Sequence, residues 1–323
     1  MEDRDLIIEV SHLTKDYGYG RGVFDVSIKV HKGECYGYLG PNGAGKSTTI
    51  RHIMGFSKPT TGEVKIFGQP TFGNTEKLLG DVGYLPGEPA IPAGLDGWGF
   101  LKMMEDMRGN VNQEWLNHLL ELFKFNPAAP VKSMSLGEKR KLAVVAAFMN
   151  DPQVLVLDEP TSGLDPVMQK VFIKFIIDEK KRGKTILLSS HIFSEVDATC
   201  DTISIIKDGK HVSTFNAADL KKEQNRMFEL YFLDKENYDL YLSKNKFEVL
   251  DKKEETNYVL VSFPKDKYDE FFTSLDDTVL VKFQEKPFTL QDYFMSFYKE
   301  QREFGGLSGV AGNTKEGLKN EKK

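Results

Sequence analysis

A glycine-rich loop that ends in a lysine and a serine is the strongest chemical signal in the sequence. Residues 40–47 read GPNGAGKS and match the pattern G-x-x-x-x-G-K-S/T. The glycines let successive backbone N–H groups turn inward toward a phosphate, and Lys46 adds a positive charge. Ser47 offers a hydroxyl to Mg²⁺, and a helix that begins near Lys46 presents the positive end of its dipole. The loop therefore predicts a cradle for the phosphates of a nucleoside triphosphate.

Two carboxylates and a histidine follow apolar runs further along the chain. Asp158 and Glu159 come directly after the run at 154–157, and His191 follows the run at 185–188 and two serines. Such runs are typical of buried parallel strands, and ligands gather at the carboxyl ends of these strands. We expect Asp158 to hold Mg²⁺, although an acidic residue at a strand end is often only a helix cap. Glu159 is then the candidate that polarises an attacking water.

Alternating strand and helix signals place these residues in an α/β fold. Strand, helix and strand repeat along the chain, which predicts a parallel sheet with helices packed against it. The proline- and glycine-rich passage 83–99 suits a surface connection. The expected strands before residue 220 are 6–10, 23–30, 35–39, 64–67, 154–157 and 185–188. The expected helices are 46–55, two between 99 and 125, 138–149 and 166–182.

From about residue 220 the pattern changes to short strands and helices in the order βαββαβα. This order predicts a small ferredoxin-like unit, for which a structural or dimerising role is favoured. Its expected strands are 227–233, 247–250, 257–263 and 279–283, and its expected helices are 235–243, 265–274 and 289–302. We predict a nucleotide-binding domain at 1–218 with a helical part at about 95–150, and an accessory domain at 219–304. The small, polar, lysine-rich stretch 305–323 is expected to be a disordered tail.

Composition narrows the choice of partners and compartment. The chain has 323 residues and a net charge of -5, and this mild acidity argues against a surface that binds nucleic acid. Its two cysteines, Cys35 and Cys200, lie far apart in sequence and favour a reducing interior. No uncharged apolar run approaches the roughly 18 residues of a membrane span, and the first ten residues lack a secretory signal. If the protein works at a membrane, another chain must supply the spanning helices.

Five segments in matching order resemble the ATP-binding cassette of ABC transporters. They are Tyr17, GPNGAGKST at 40–48, MSLGE at 134–138, VLVLDEPTSGLDP at 154–166 and SSH at 189–191. The resemblance covers about residues 5–215 and implies a parallel sheet of the P-loop NTPase type with an antiparallel β subdomain and a helical subdomain. GYLPGE at 83–88 and the β-rich C-terminal unit are most similar to subunits that serve separate ABC-2-type export permeases.

The resemblance implies an ATPase that uses Mg²⁺ and converts ATP and water to ADP and phosphate. Tyr17 would stack on adenine, with Tyr19 as a substitute, and His191 would contact the γ-phosphate. Ser47 would bind Mg²⁺ directly and Asp158 through a water. The residues around the nucleotide would be Tyr17, Gly40, Pro41, Asn42, Gly43, Ala44, Gly45, Lys46, Ser47 and Thr48.

The resemblance also implies two protein partners. Ser135 and Gly137 belong to the signature loop, which would close on the ATP of a second cassette in a head-to-tail dimer of two copies. Asp165 would lie at the dimer seam, although capping of the helix that starts at Pro166 is also compatible with its position. An integral membrane permease would hold the dimer at the cytoplasmic face of the cell membrane.

Two places depart from the family pattern. The signature usually reads Leu-Ser-Gly-Gly-Gln, and here Leu136 replaces the middle glycine and Glu138 the glutamine. A glutamine that touches Mg²⁺ and links ATP to the permease is expected where this chain has Gly87. Either Glu88 takes over that metal contact, or it is a solvated turn residue before Pro89.

The sequence thus predicts the ATP-hydrolysing subunit of an exporter that acts through a separate permease, with the surface around 84–110 passing on the motion. A soluble ABC-type ATPase outside transport is the alternative, but the chain has no second phosphate loop and no coiled-coil insertion between 47 and 135. Because Gly87 replaces the expected glutamine, a nucleotide-dependent regulator without transport is a further alternative. Drug, antimicrobial peptide, lipid and polysaccharide all remain possible cargoes because cargo contacts would lie on the permease.

Overall fold

The computed structural model describes residues 6–109, 111–219, 225–286 and 290, except for the side chains of residues 77 and 79. Its contacts divide the chain into two units, Met1–Gln224 and Asn225–Lys323. Among the helices in the described part of the chain, none combines the length and the apolar character of a membrane span.

The first unit alternates strands and helices along most of its length. Its strands are β1 (Leu6–Asp16), β2 (Gly22–His31), β3 (Cys35–Leu39), β4 (Thr61–Ile66), β5 (Gln69–Pro70), β6 (Val82–Leu85), β7 (Val154–Asp158), β8 (Thr185–Ser190), β9 (Thr202–Lys207) and β10 (Lys210–Asn216). Its α-helices include α1 (Lys46–Ile53), α2 (Thr75–Leu79), α3 (Gly97–Arg108), α4 (Gln113–Leu122), α5 (Leu136–Phe148), α6 (Pro166–Lys181) and α7 (Phe193–Thr199).

A six-stranded sheet with the order β10-β9-β3-β8-β7-β6 brings the expected site residues to one edge. All neighbours in it are parallel except β10, which runs antiparallel to β9. Every residue of β3, β7 and β8 is buried, which explains why these runs are apolar without alternation. Leu39 pairs with Ser190, and Asp158 pairs with Ser189, so the loops after these three strands leave the sheet side by side.

A second, antiparallel sheet covers the helix that follows the glycine-rich loop. Its order is β2-β1-β4-β5, and β2 alternates buried and exposed residues as a half-buried strand does. Ile8 and Val10 from β1 share one apolar core with Tyr36 and Tyr38 from β3 and with Ile50 from α1. Because α1 packs against both sheets, its first turn is fixed relative to β3. The predicted α/β class, with a parallel sheet, an antiparallel sheet and a helical part, is confirmed.

Helices α3 to α5 form the helical part, as two helices broken near residue 109 and a longer one. Gly109 has a φ of 96° at the end of α3, and Asn112 caps the start of α4. The Trp115 indole donates a hydrogen bond to the Phe148 carbonyl at 2.9 Å, and Phe148 packs against Phe175 of α6 at a ring distance of 4.9 Å. Aromatic packing thus joins the helical part to α6.

Within residues 225–286, the second unit has the element order βαββαβ. Its strands are β11 (Arg226–Phe232), β12 (Glu248–Lys253), β13 (Tyr258–Phe263) and β14 (Leu280–Lys286), and its α-helices are α8 (Lys235–Lys244) and α9 (Tyr268–Thr273). The sheet order is β12-β13-β11-β14 with all neighbours antiparallel, which is the order of two split βαβ units. The helix expected at 289–302 and the tail expected at 305–323 lie outside the described residues, apart from residue 290.

Candidate functional site

A cleft of about 400 Å³ opens over the glycine-rich loop, within the size range of small-molecule sites. Residues from four loops and from the start of α1 line it. They are Tyr17, Gly20, Arg21, Gly22, Asn42, Gly43, Gly45, Lys46, Ser47, Thr48, Glu159, Asp208 and Gly209. The cleft therefore contains most of the residues that the sequence assigned to nucleotide binding, including Tyr17.

The glycines of the loop are required by backbone conformation and by close packing. Gly43 and Gly45 have φ values of 80° and 106°, in the left-handed region that favours glycine. A Cβ atom at Gly45 would lie 2.7 Å from Val23, and a Cβ atom at Gly40 would lie 2.4 Å from the Ile206 carbonyl oxygen. Gly40, Pro41 and Ala44 do not line the cleft, whereas the other loop residues do.

Lys46 lies at the centre of the site as the first residue of α1. Its side chain is 5% exposed, and its Nζ donates hydrogen bonds to the carbonyl oxygens of Gly40 at 2.7 Å and Pro41 at 3.1 Å. The same Nζ lies 3.0 Å from Glu159 Oε1. The first turn of α1 reads KSTT, so its N-terminal N–H groups and the ammonium group present positive charge to the cleft.

Glu159 connects the glycine-rich loop to His191. Its Oε2 lies 2.6 Å from His191 Nδ1, while its backbone N–H donates to the Ser189 carbonyl at 3.0 Å. Glu159 has a φ of 47°, which is uncommon for a residue other than glycine and recurs at functional sites. The structure therefore brings Lys46, Glu159 and His191 into one chain of contacts.

Asp158 lies beneath this chain of contacts at the end of β7. Its side chain is 3% exposed, and its Oδ1 accepts a hydrogen bond from Ser189 Oγ at 2.5 Å. Within the described residues, no cluster of three or more His, Cys, Asp and Glu side chains forms a metal site by itself. A buried carboxylate and the Ser47 hydroxyl are nevertheless oxygen ligands of the kind that Mg²⁺ takes, because Mg²⁺ usually adds waters and substrate phosphates to one or two carboxylates.

The turn at Gly87 lies against the Asp158 carboxylate. A Cβ atom at Gly87 would be 3.1 Å from Asp158 Oδ2, so a larger residue would crowd that oxygen. The neighbouring Glu88 is exposed and is not among the described residues that line the cleft. A metal contact by Glu88 stays a prediction.

The signature loop starts α5 with a reciprocal capping box. Ser135 Oγ accepts a hydrogen bond from the Glu138 N–H at 3.2 Å, and Glu138 Oε2 accepts one from the Ser135 N–H at 2.8 Å. The hydrogen bonds that the Ser135 N–H and hydroxyl donate to Glu138 lower the pKa of this exposed carboxyl. Glu138, which stands where the family usually has glutamine, thus places a negative charge at the N-terminus of α5.

Asp165 caps the following helix. Its Oδ1 accepts hydrogen bonds from the N–H groups of Val167 and Met168, both at 3.0 Å, and Pro166 occupies the first turn. The structure thus supports the capping alternative for Asp165. Among the described residues, Ser135, Gly137 and Asp165 do not line the cleft.

Sequence reasoning missed one buried carboxylate behind the site. Glu195 of α7 is 1% exposed, and its Oε2 accepts a hydrogen bond from Ser190 Oγ at 2.6 Å. Ser190 Oγ in turn accepts from the Ile192 N–H at 3.0 Å, which shapes the loop that carries His191. Burial raises the pKa of Glu195 to about 7, although the hydrogen bond from Ser190 acts in the opposite direction.

Comparisons with known proteins point to one family. The family model described as ABC transporter matches residues 23–162. The bacitracin transport ATP-binding protein BcrA of Bacillus licheniformis is 36% identical, over 76% of this chain and 81% of that protein. The Nod factor export ATP-binding protein I of Rhizobium meliloti (strain 1021) is 31% identical, over 89% of this chain and 87% of that protein. A solved ATP-binding subunit of an ABC transporter matches with a TM-score of 0.61 and 30% identity, over 67% of this chain and 92% of that chain.

Proposed function

Because this chain belongs to the ATP-binding proteins of ABC transporters, we propose that it drives export of a substrate through a separate membrane permease. The chain is an ATPase, as is characteristic of that family. One relative is named for transport of bacitracin and another for export of Nod factor, which supports an exporter. Because their cargoes differ, the proposal covers export and leaves the cargo unassigned.

The contact of Lys46, Glu159 and His191 is the observation that carries the proposal. Lys46 and the N-terminus of α1 neutralise the charge of the phosphates. Glu159 lies 3.0 Å from Lys46 and 2.6 Å from His191, where it accepts a proton from the water that attacks the terminal phosphate. A bond forms between the water oxygen and phosphorus as the bond to ADP breaks. His191 holds the carboxylate in the orientation that this proton transfer needs.

Ser47 and Asp158 are the residues that would hold Mg²⁺. The ion supplies positive charge to the phosphate oxygens when it is bound. Ser189 fixes Asp158 by its hydrogen bond of 2.5 Å, so one carboxylate oxygen is held while Oδ2 faces the Gly87 turn.

A second copy of the chain would complete the site. Ser135 and the start of α5 provide a helix N-terminus for the other copy's phosphates, as the family resemblance implies. Two large apolar side chains beside these segments support a protein contact there, because Leu136 is 66% exposed and Val167 is 64% exposed. Asp165 would lie at the same seam while it caps α6.

The permease would bind the surface around residues 84–110 and hold the dimer at the cytoplasmic face of the membrane. Trp98 and Met107 of α3 support this placement, since they are 45% and 71% exposed. Exposed aromatic and methionine side chains are enriched in protein interfaces. Glu88 would lie within the same surface, where a role in metal binding stays a prediction.

Substitution of Glu159 by glutamine tests the proposed chemistry. Glu159→Gln keeps the size and shape of the side chain but cannot take the proton, so turnover should fall by roughly 10²- to 10⁴-fold. ATP binding should persist, and in the presence of ATP the variant should accumulate as dimers, which size-exclusion chromatography would detect. Glu121→Gln, at an exposed position of α4, is the matched control and should hydrolyse ATP normally. Normal turnover in Glu159→Gln would contradict the assignment. Copurification of a permease from detergent-solubilised membranes tests the transporter part separately.

A further inference from the structure

Arg140 is a buried cation whose hydrogen bonds all reach other segments of the first unit. It lies in α5, one turn after the signature loop, and it is 2% exposed. Its Nε donates to the Ser162 carbonyl at 2.9 Å, and its Nη1 donates to the Pro86 carbonyl at 2.8 Å. Its Nη2 donates to the Gly87 carbonyl. One side chain therefore joins α5 to two separate turns.

Both turns belong to the hydrolysis site. The Ser162 N–H donates to the Glu159 carbonyl at 3.1 Å, so Ser162 closes the turn that begins at Glu159. The other turn, at Gly87, lies against Asp158, since a Cβ atom there would be 3.1 Å from Asp158 Oδ2. Arg140 thus holds the backbone beside the water-activating carboxylate and beside the proposed metal ligand.

The charges around Arg140 also belong to this site. Burial lowers the pKa of the Arg140 guanidinium, whereas Asp158, Glu159 and Glu88 raise it. A guanidinium has donors in a rigid planar fork, so it can satisfy three carbonyls at fixed positions. A lysine would keep the charge but could not reproduce that geometry. Loss of the fork would leave these three partly buried carbonyls without their donor, which costs free energy.

We propose that Arg140 is a positioning residue for ATP hydrolysis, a role that rests on the proposed function. Arg140 ties the signature helix to the turns at Gly87 and Ser162, so contact of the signature loop with a second cassette is transmitted to Glu159 and Asp158. Arg140 thereby supplies the link between the Gly87 turn and the triphosphate site, at the place where the family glutamine is absent. Lys46 and the glycine-rich loop do not depend on it.

Arg140→Lys in the full chain tests the proposal, with Arg182→Lys as the matched control. Arg182 also makes several contacts, to Glu179 at 2.8 Å and Asp151 at 2.8 Å, but at the far end of α6. We expect kcat of Arg140→Lys to fall on the order of tenfold to a hundredfold, because small displacements of reacting groups have effects of this size. The dissociation constant for ATP should change less than about threefold, and the Mg²⁺ concentration for half-maximal rate should rise.

The control distinguishes positioning from stability. Arg182→Lys should lower the melting temperature without lowering kcat. If both variants lower kcat equally, or if Arg140→Lys weakens ATP binding as much as it slows turnover, Arg140 has a structural role only. An inactive wild-type chain would instead refute the proposed function.

Hydrogen exchange of the wild-type chain keeps the test independent of whether the variant folds. Addition of a nonhydrolysable ATP analogue with Mg²⁺ should protect residues 86–88, 135–140 and 159–163 together. Protection of the signature segment without protection of the two turns would overturn the inference.

Discussion

Glu195 makes the stability of the first unit depend on pH. Burial, with a smaller contribution from the nearby Glu159 charge, raises its pKa from the ordinary 4.5 to about 7 in the folded chain. The Ser190 hydroxyl, which donates a hydrogen bond to Oε2, and the neighbouring Thr161 hydroxyl act in the opposite direction. The remaining Glu195 oxygen, Oε1, is buried and makes no hydrogen bond among the described residues.

The direction of the effect follows from proton binding. Between these two pKa values the folded chain binds more protons at Glu195 than the unfolded chain does. The free energy of unfolding therefore falls as pH rises from about 4.5 to about 7, and it levels off above that. Since a tenfold change in proton affinity is about 1.4 kcal/mol, the loss amounts to roughly 3 kcal/mol.

The assay compares the wild-type chain with Glu195→Gln in guanidinium unfolding at several pH values. Tryptophan fluorescence reports on the first unit, because both tryptophans, Trp98 and Trp115, belong to it. The other ionisable groups are common to both chains and cancel in the difference. We expect the difference in unfolding free energy to move by roughly 3 kcal/mol in favour of Glu195→Gln between pH 5 and pH 8. A difference that stays constant with pH would refute a raised pKa at Glu195.

Two further substitutions test the nucleotide site and the dimer. Tyr17 lines the cleft and is 49% exposed, whereas Tyr19 is fully exposed and does not line it. Tyr17→Ala should therefore weaken ATP binding by roughly tenfold, within the range for loss of base stacking, and Tyr19→Ala should leave it nearly unchanged, as titration calorimetry would measure. Glu138→Gln removes a negative charge from the N-terminus of α5 and keeps the cap on Ser135, so ATP-driven dimers of a Glu159→Gln chain should form several-fold more tightly at low salt. Sedimentation at two salt concentrations measures this effect, and equal gains at both would argue against a charge effect.

The parallel strands that carry the site were predictable because their sequence signals are local. Strand β3 leads directly into the glycine-rich loop, and the apolar run of β7 ends on Asp158 and Glu159. The expectation of a surface connection at 83–99 was wrong at its start. Val82 and Leu85 belong to β6, and both are buried beside β7. Gly83 is required there, since a Cβ atom would lie 2.4 Å from the Ala147 carbonyl, so its glycine signals packing and not a loop.

The wall of the cleft opposite Glu159 was beyond sequence reasoning. Arg21 lies in the hairpin between β1 and β2 of the antiparallel sheet. Asp208 and Gly209 form the turn between β9 and β10 of the six-stranded sheet. The Gly209 N–H donates to the Ala44 carbonyl at 3.0 Å and so joins this turn to the glycine-rich loop. An Asp-Gly pair predicts a hairpin, but only the packing of the two sheets brings that hairpin to the site.

The two cysteines show the same limit. Cys35 and Cys200 are separated by most of the first unit, yet their Sγ atoms lie 3.6 Å apart in its interior. The hydrogen bond with Cys200 and burial raise the pKa of the Cys35 thiol well above its usual value. A thiol with a raised pKa is a poor nucleophile, so this pair acts as packing between β3 and the end of α7.

The residues that depart from the family pattern lie in or next to the first two turns of α5. Leu136 lies over Gly163, where a Cβ atom would be 3.2 Å from the leucine side chain, and Glu138 caps the helix. One turn later, Arg140 binds the carbonyl of Gly87. A larger residue at Gly87 would crowd Asp158, because Arg140 would still hold the turn in its present place. The unusual residues are therefore parts of one arrangement, in which the signature helix and not a glutamine side chain connects the Gly87 turn to the site of hydrolysis.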